Sequence, residues 1–155
     1  MTVMTVMTVM TVMKFSGKIR IGSPTNRPPS GSRGHRVILS TRAVRAKIDT
    51  LMGSAVRVGH IGTYGCRDVG TVTAVGIEIV DGQDWMVIEG QLRVDADAYA
   101  DAEYTNCGLS WEVSGAVIED IRARVWRVIE IAGFRGVAFV KRAASESEIE
   151  FKSEN

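Results

Sequence analysis

Asp81-Gly82 stands between two long runs rich in Val, Ile and Thr, Val69 to Val80 and Trp85 to Val94. Asp-Gly is the dipeptide of two-residue hairpin turns, so the two runs are expected to pair as a β-hairpin. This commits the middle of the chain to antiparallel sheet. In the second run Trp85, Val87, Glu89, Gln91 and Arg93 fall on one face, and Met86, Ile88, Leu92 and Val94 lie nearer the other.

Shorter segments of the same kind flank the hairpin. Lys14 to Ile21 alternates with Phe15, Ile19 and Ile21 apolar, and Ala55 to His60 places Val56 and Val58 on one face. Cys107 to Val113, Ala116 to Ile121, Ala123 to Ala132 and Val137 to Val140 also read as strands, with Gly133 to Gly136 breaking the last two apart. Ser23 to Gly34, with three prolines, is expected to be a mobile basic loop, followed by buried Val37-Ile38-Leu39. Only one helix is well signalled: Ser40 or Thr41 can cap it, Val44, Ile48 and Leu51 share a face, and Gly53 stops it. Arg42, Arg45 and Lys47 lie opposite that face. Asp95 to Tyr104 reads as a second, short polar helix.

About seven strands with one or two packed helices predict a mostly β, α+β fold, a small antiparallel β-barrel. Residues 1–13 repeat Met-Thr-Val and are expected to be a low-complexity leader, with Met13 as a natural start. Residues 14–144 then form a single domain, and residues 145–155 an acidic disordered tail.

The composition, 45% apolar and 24% charged, excludes disorder across the chain. No run approaches the roughly 20 apolar residues of a membrane helix, which points to the cytoplasm. Cys66 and Cys107 are too few for a disulfide framework and lack metal-type spacing, so neither metal nor cofactor is expected. Charge is uneven along the chain. Lys14 to Arg67 holds eleven Lys/Arg against one acid, and Asp68 to Asn155 holds eight against seventeen. A basic half of this kind can face an anionic partner. Aromatics are not interleaved with it, which disfavours nucleic acid.

In the strand Cys107 to Val113, alternation sends Cys107, Leu109, Trp111 and Val113 to one side and Gly108, Ser110 and Glu112 to the other. Ser110 is then either an ordinary outward serine or a nucleophile. A nucleophilic hydroxyl needs a base, and the chain offers two histidines. His35 adjoins the Pro/Gly loop. His60 ends a strand and opens a glycine-containing loop, where a rigid scaffold presents a side chain. Glu112, Glu119, Asp120 and Glu130 are the acids downstream of Ser110 within the strands that could orient the base.

The order of these features resembles the prohead (capsid maturation) proteases of tailed bacteriophages, which share their fold with the herpesvirus assemblins. The matching blocks are the helix ending Leu51-Met52-Gly53, the strand Ala55 to Val58 leading into Gly59-His60, and Val69 to Ala74. Gly108 to Val113 looks like the nucleophile segment, followed by Val117 to Asp120, Val125-Trp126 and Phe134 to Ala138; together they span roughly residues 36–144. The resemblance implies a serine endopeptidase with Ser110 as nucleophile and His60 as base, acting inside the procapsid on scaffold and major capsid protein, with a homodimer as a further expectation. It implies an acidic third member, because no histidine follows Ser110. Strand-borne Glu130 is favoured, with Asp120 the alternative. The competing expectation is a virion structural module that keeps the fold without the chemistry.

Overall fold

The structure, a computed structural model, describes residues 12–29, 31–93, 108–122 and 124–154. The expected helix at Asp95 to Tyr104, Cys107 and most of the Met-Thr-Val repeat lie outside these residues.

The strands are β1 (Val12–Ile21), β2 (Arg36–Leu39), β3 (Ala55–Val58), β4 (Arg67–Val80), β5 (Gln83–Leu92), β6 (Gly108–Ser114), β7 (Val117–Arg122), β8 (Val125–Glu130), β9 (Gly133–Val140) and β10 (Ser147–Glu154). The helix α1 (Thr41–Lys47) and a 3-10 turn, Ile48–Leu51, join β2 to β3. Ser40 caps α1 by accepting a hydrogen bond from the Ala43 N–H. The β4–β5 hairpin forms as its turn chemistry requires. Asp81 and Gly82 sit at φ 50° and 75°, so both turn residues hold the left-handed conformation that fits the twist of paired strands.

Seven strands make one curled sheet in the order β10-β1-β5-β4-β3-β9-β6, and β2-β8-β7 make a second. The fold is therefore mostly β with a short helix, as expected, but the barrel does not close. The large sheet is a half-barrel whose two edge strands, β10 and β6, approach each other without a ladder. There the Leu109 N–H donates to Ser147 Oγ at 2.9 Å. Pairing is antiparallel except for β2 with β8 and β3 with β9.

The concave face holds the core. Phe15, Ile19, Leu39, Val44, Leu51, Val56, Val72, Met86, Ile88, Leu109 and Val137 are almost wholly buried. Phe15 meets Phe139 edge-on, with ring centroids 5.2 Å apart.

Three expectations are corrected. Gly133 to Gly136 does not interrupt the sheet; it is the first half of β9. The Pro/Gly segment is irregular but tied down: Thr25 N–H donates to Val37 O, Asn26 N–H to Ala144 O, and Thr25 and Ser32 are buried. The acidic tail is not a disordered appendage, because β10 pairs with β1 from Ile19↔Ser147 to Val12↔Glu154, with Ile149 and Phe151 against the core. Within β10 the apolar residues alternate with Glu148, Glu150 and Lys152, the pattern of an edge strand with one wet face. Val12 and Met13 of the repeat belong to β1.

Deleting residues 145–155 removes this apolar contact and bares the edge of β1. We expect a loss of about 3 kcal/mol in urea unfolding and increased aggregation. An unchanged unfolding midpoint would show that β10 contributes nothing to stability.

Candidate active site

The site lies at the β3-β9-β6 end of the large sheet, on the side away from the core. In β6 the two-residue period separates buried Leu109 from Ser110 and Glu112, which share the opposite face. β3 delivers His60 through Gly59, whose φ of 77° turns the chain out of the strand while its N–H donates to Phe139 O. The His60 carbonyl accepts from the Thr63 N–H at 3.0 Å and from Thr63 Oγ1 at 2.6 Å, so a closed turn fixes its backbone.

The side chains converge. His60 Nε2 stands 3.0 Å from Ser110 Oγ, and His60 Nδ1 stands 3.1 Å from Glu112 Oε2. The same carboxylate oxygen accepts from the Ile61 N–H at 3.0 Å. One oxygen thus holds both the ring and the backbone beside it. The other oxygen, Oε1, pairs with the Arg57 guanidinium. The side chain of Glu112 is 6% exposed, whereas that of His60 is 31% exposed and faces the cleft.

Burial alone would raise the Glu112 carboxyl, but the hydrogen bonds from His60 and the Ile61 N–H, with the charges of Arg57 and His60, outweigh it and hold the group below its ordinary value. An ionised carboxylate only accepts, so the proton between it and His60 sits on Nδ1. Nε2 is then left as the acceptor facing the serine hydroxyl.

This shift links Glu112 to acid stability. Its folded pKa lies below the unfolded one near 4.5. The stability it contributes is complete above that value and is lost as pH falls through the depressed folded value. Urea unfolding between pH 7 and 3 should therefore show a steeper acid-side loss for the wild type than for Glu112→Gln. Parallel curves would mean that Glu112 titrates alike in both states.

Ser110 and His60 open onto two adjoining clefts of about 350 and 470 Å³. The first is bounded by Arg27, Pro28, Tyr64, Val140 and Arg142. The second runs between the two sheets past Val37, Trp111, Ile118, Trp126 and Val128. A cleft with an apolar wall on one side and cations on the other can seat an extended peptide across the serine.

Of the residues singled out in the sequence, Ser110 and His60 come together. Glu130 and Asp120 do not join them: both are exposed on the small sheet, where Glu130 pairs across from Val117 and Asp120 from Trp126. The carboxylate on His60 is Glu112, which the strand period had already placed on the serine's face. Glu119 bonds Arg127 at the surface, and His35 stacks on Trp126 with ring centroids 4.1 Å apart. Sequence reasoning missed Arg57. The available signal was a cation in the middle of a short strand, between two buried valines.

Among the described residues, no group of three or more His, Cys, Asp or Glu converges on a metal-sized site. No helix there is long and apolar enough to cross a membrane. Comparison with family models, with curated proteins and with solved structures finds no match for this chain.

Proposed function

We propose that this protein is a serine endopeptidase of the prohead type, cleaving scaffold and capsid protein segments during phage head assembly. The observation that carries the chemistry is the chain of contacts from Ser110 Oγ through both ring nitrogens of His60 to buried Glu112, at 3.0 and 3.1 Å. Nucleophile, base and orienting group are each within hydrogen-bond reach of the next.

In this reading Ser110 Oγ attacks the scissile carbonyl carbon while His60 Nε2 takes the hydroxyl proton. The imidazolium, stabilised by Glu112, passes that proton to the leaving amine as the peptide bond breaks. Water then attacks the acyl-serine, with His60 again as base, and releases the acid. Glu112 keeps its negative charge throughout. The role in head assembly rests on the ordered blocks around His60 and Ser110 and on the exposed Arg42, Arg45 and Lys47 of α1, a face suited to an acidic scaffold segment.

A fluorophosphonate probe should label Ser110, and the protein should cut purified scaffold or capsid protein of a tailed-phage head. A full-length, unlabelled protein that leaves both intact would overturn the proposal in favour of a structural module of the virion.

A further inference from the structure

Arg57 reaches Glu112 from two strands away. In the sheet, β9 lies between β3 and β6, with Ala55↔Gly136↔Glu112 in one row and Arg57↔Ala138↔Ser110 in the next. Paired strands are about 4.8 Å apart, so the Arg57 side chain crosses roughly 10 Å of sheet to meet a carboxylate on β6. It can do so because the β9 residues beneath its path are small. A Cβ on Gly136 would stand 2.7 Å from Arg57 Nη1 and 3.2 Å from Glu112 Oε1. It would also clash with the Ala55 carbonyl oxygen, so a side chain there forces β3 or the Arg57–Glu112 pair to shift.

The guanidinium is held from three directions. Arg57 Nη1 donates to Glu112 Oε1 and, at 3.3 Å, to Arg135 O of β9; Arg57 Nε stands 3.0 Å from Asp68 Oδ1 at the start of β4. The arginine side chain is 15% exposed, against 57% for Asp68, so a wet carboxylate anchors a sheltered cation that in turn anchors a buried carboxylate. Lysine could supply the charge but not the fork.

We infer that Arg57 is a positioning residue of the serine site: braced by Asp68 and by the β9 backbone across Gly136, it fixes Glu112 in the place from which Glu112 orients His60. This rests on the peptidase reading above. The groups facing Glu112 are Arg57 from β3, the His60 ring and Ile61 N–H from the following loop, and, through Arg57, Asp68 of β4 and the Arg135 carbonyl; the Arg135 side chain borders the same cleft. Without the cation, Glu112 loses one of the charges that hold its carboxyl ionised, and His60 loses a fixed acceptor for its Nδ1–H.

The test combines peptide cleavage with proton NMR of the His60 Nδ1–H in the full chain. Arg57→Ala should lower kcat on the order of 10²-fold with KM little changed, and should move the acid limb of kcat/KM to higher pH. Arg57→Lys should restore the limb but only part of kcat. Asp68→Asn, at an exposed site, should cost a smaller fraction of kcat. Wild-type kcat and pH profile in folded Arg57→Ala would overturn the inference. Should that variant not fold, wild-type values in both Arg57→Lys and Asp68→Asn overturn it equally. The NMR signal separates this inference from the peptidase reading. If the wild type cleaves nothing, the catalytic reading fails, and the positioning inference then stands if the Nδ1–H resonance moves or broadens in Arg57→Lys and falls if it is unchanged.

Discussion

Ser110→Ala is expected to reduce peptide cleavage by about 10⁶-fold, to the rate that substrate binding and polarisation alone sustain. The size follows from the chemistry. Ser110 supplies the atom that displaces the leaving amine in the proposed route, and its loss leaves water to attack the peptide directly. His60→Ala should be nearly as severe, because it removes the base whose Nε2 stands 3.0 Å from Ser110 Oγ. The double variant should be no worse than either alone, since nucleophile and base act as a unit. All three should keep wild-type unfolding midpoints to within about 1 kcal/mol, as neither side chain belongs to the core. Cleavage of a fluorogenic peptide drawn from a scaffold sequence, measured alongside urea unfolding, decides the matter. Activity surviving in Ser110→Ala would remove this serine from the mechanism.

The second large effect falls on Glu112. Glu112→Gln keeps the shape but loses the charge, and an amide can turn its NH2 group toward His60 Nδ1. That selects the tautomer with its proton on Nε2, facing Ser110, where an acceptor is needed. A fall in kcat on the order of 10⁴-fold is expected. Glu130→Gln and Asp120→Asn should leave kcat within about twofold, because both are exposed on the small sheet. Equal losses in Glu112→Gln and Glu130→Gln would break the assignment of the third member, whatever became of the other two.

How far these features are legible in the sequence depends on the range of the interaction behind each. Asp81-Gly82 specified its hairpin because turn dihedrals and strand twist are local. The two-residue period put Ser110 and Glu112 on one face for the same reason. What misdirected the choice of acid was the placement of Glu130 within a strand, which fixes a side chain but does not say which site it faces. In the fold the small sheet has a wet face, and Glu130 is at the end of β8 on it. Arg57 illustrates a longer range. Its link to Glu112 exists only because β3 and β9 pair in parallel with β6 beyond, a topology that no local pattern encodes. The tail failed for a different reason. Its Ser/Glu/Lys composition reads as solvated, yet Ile149 and Phe151 keep the period of a strand, and here the period outweighs composition.

The seam where β6 meets β10 gives the protein a timetable. β1 is built from the first described residues and takes β10, the last, as a neighbour, while the Leu109 N–H, next to the serine, donates to Ser147 Oγ. Contacts spanning nearly the whole chain are slow to form, and during synthesis they wait for the C-terminal segment to leave the ribosome. Strand β6 itself pairs along its length with β9, and the bond to Ser147 adds a tie from β10. A nascent chain that has not yet supplied β9 carries His60 and Ser110 on strands with nothing between them, so the site proposed above takes shape only after the residues through Val140 have been made.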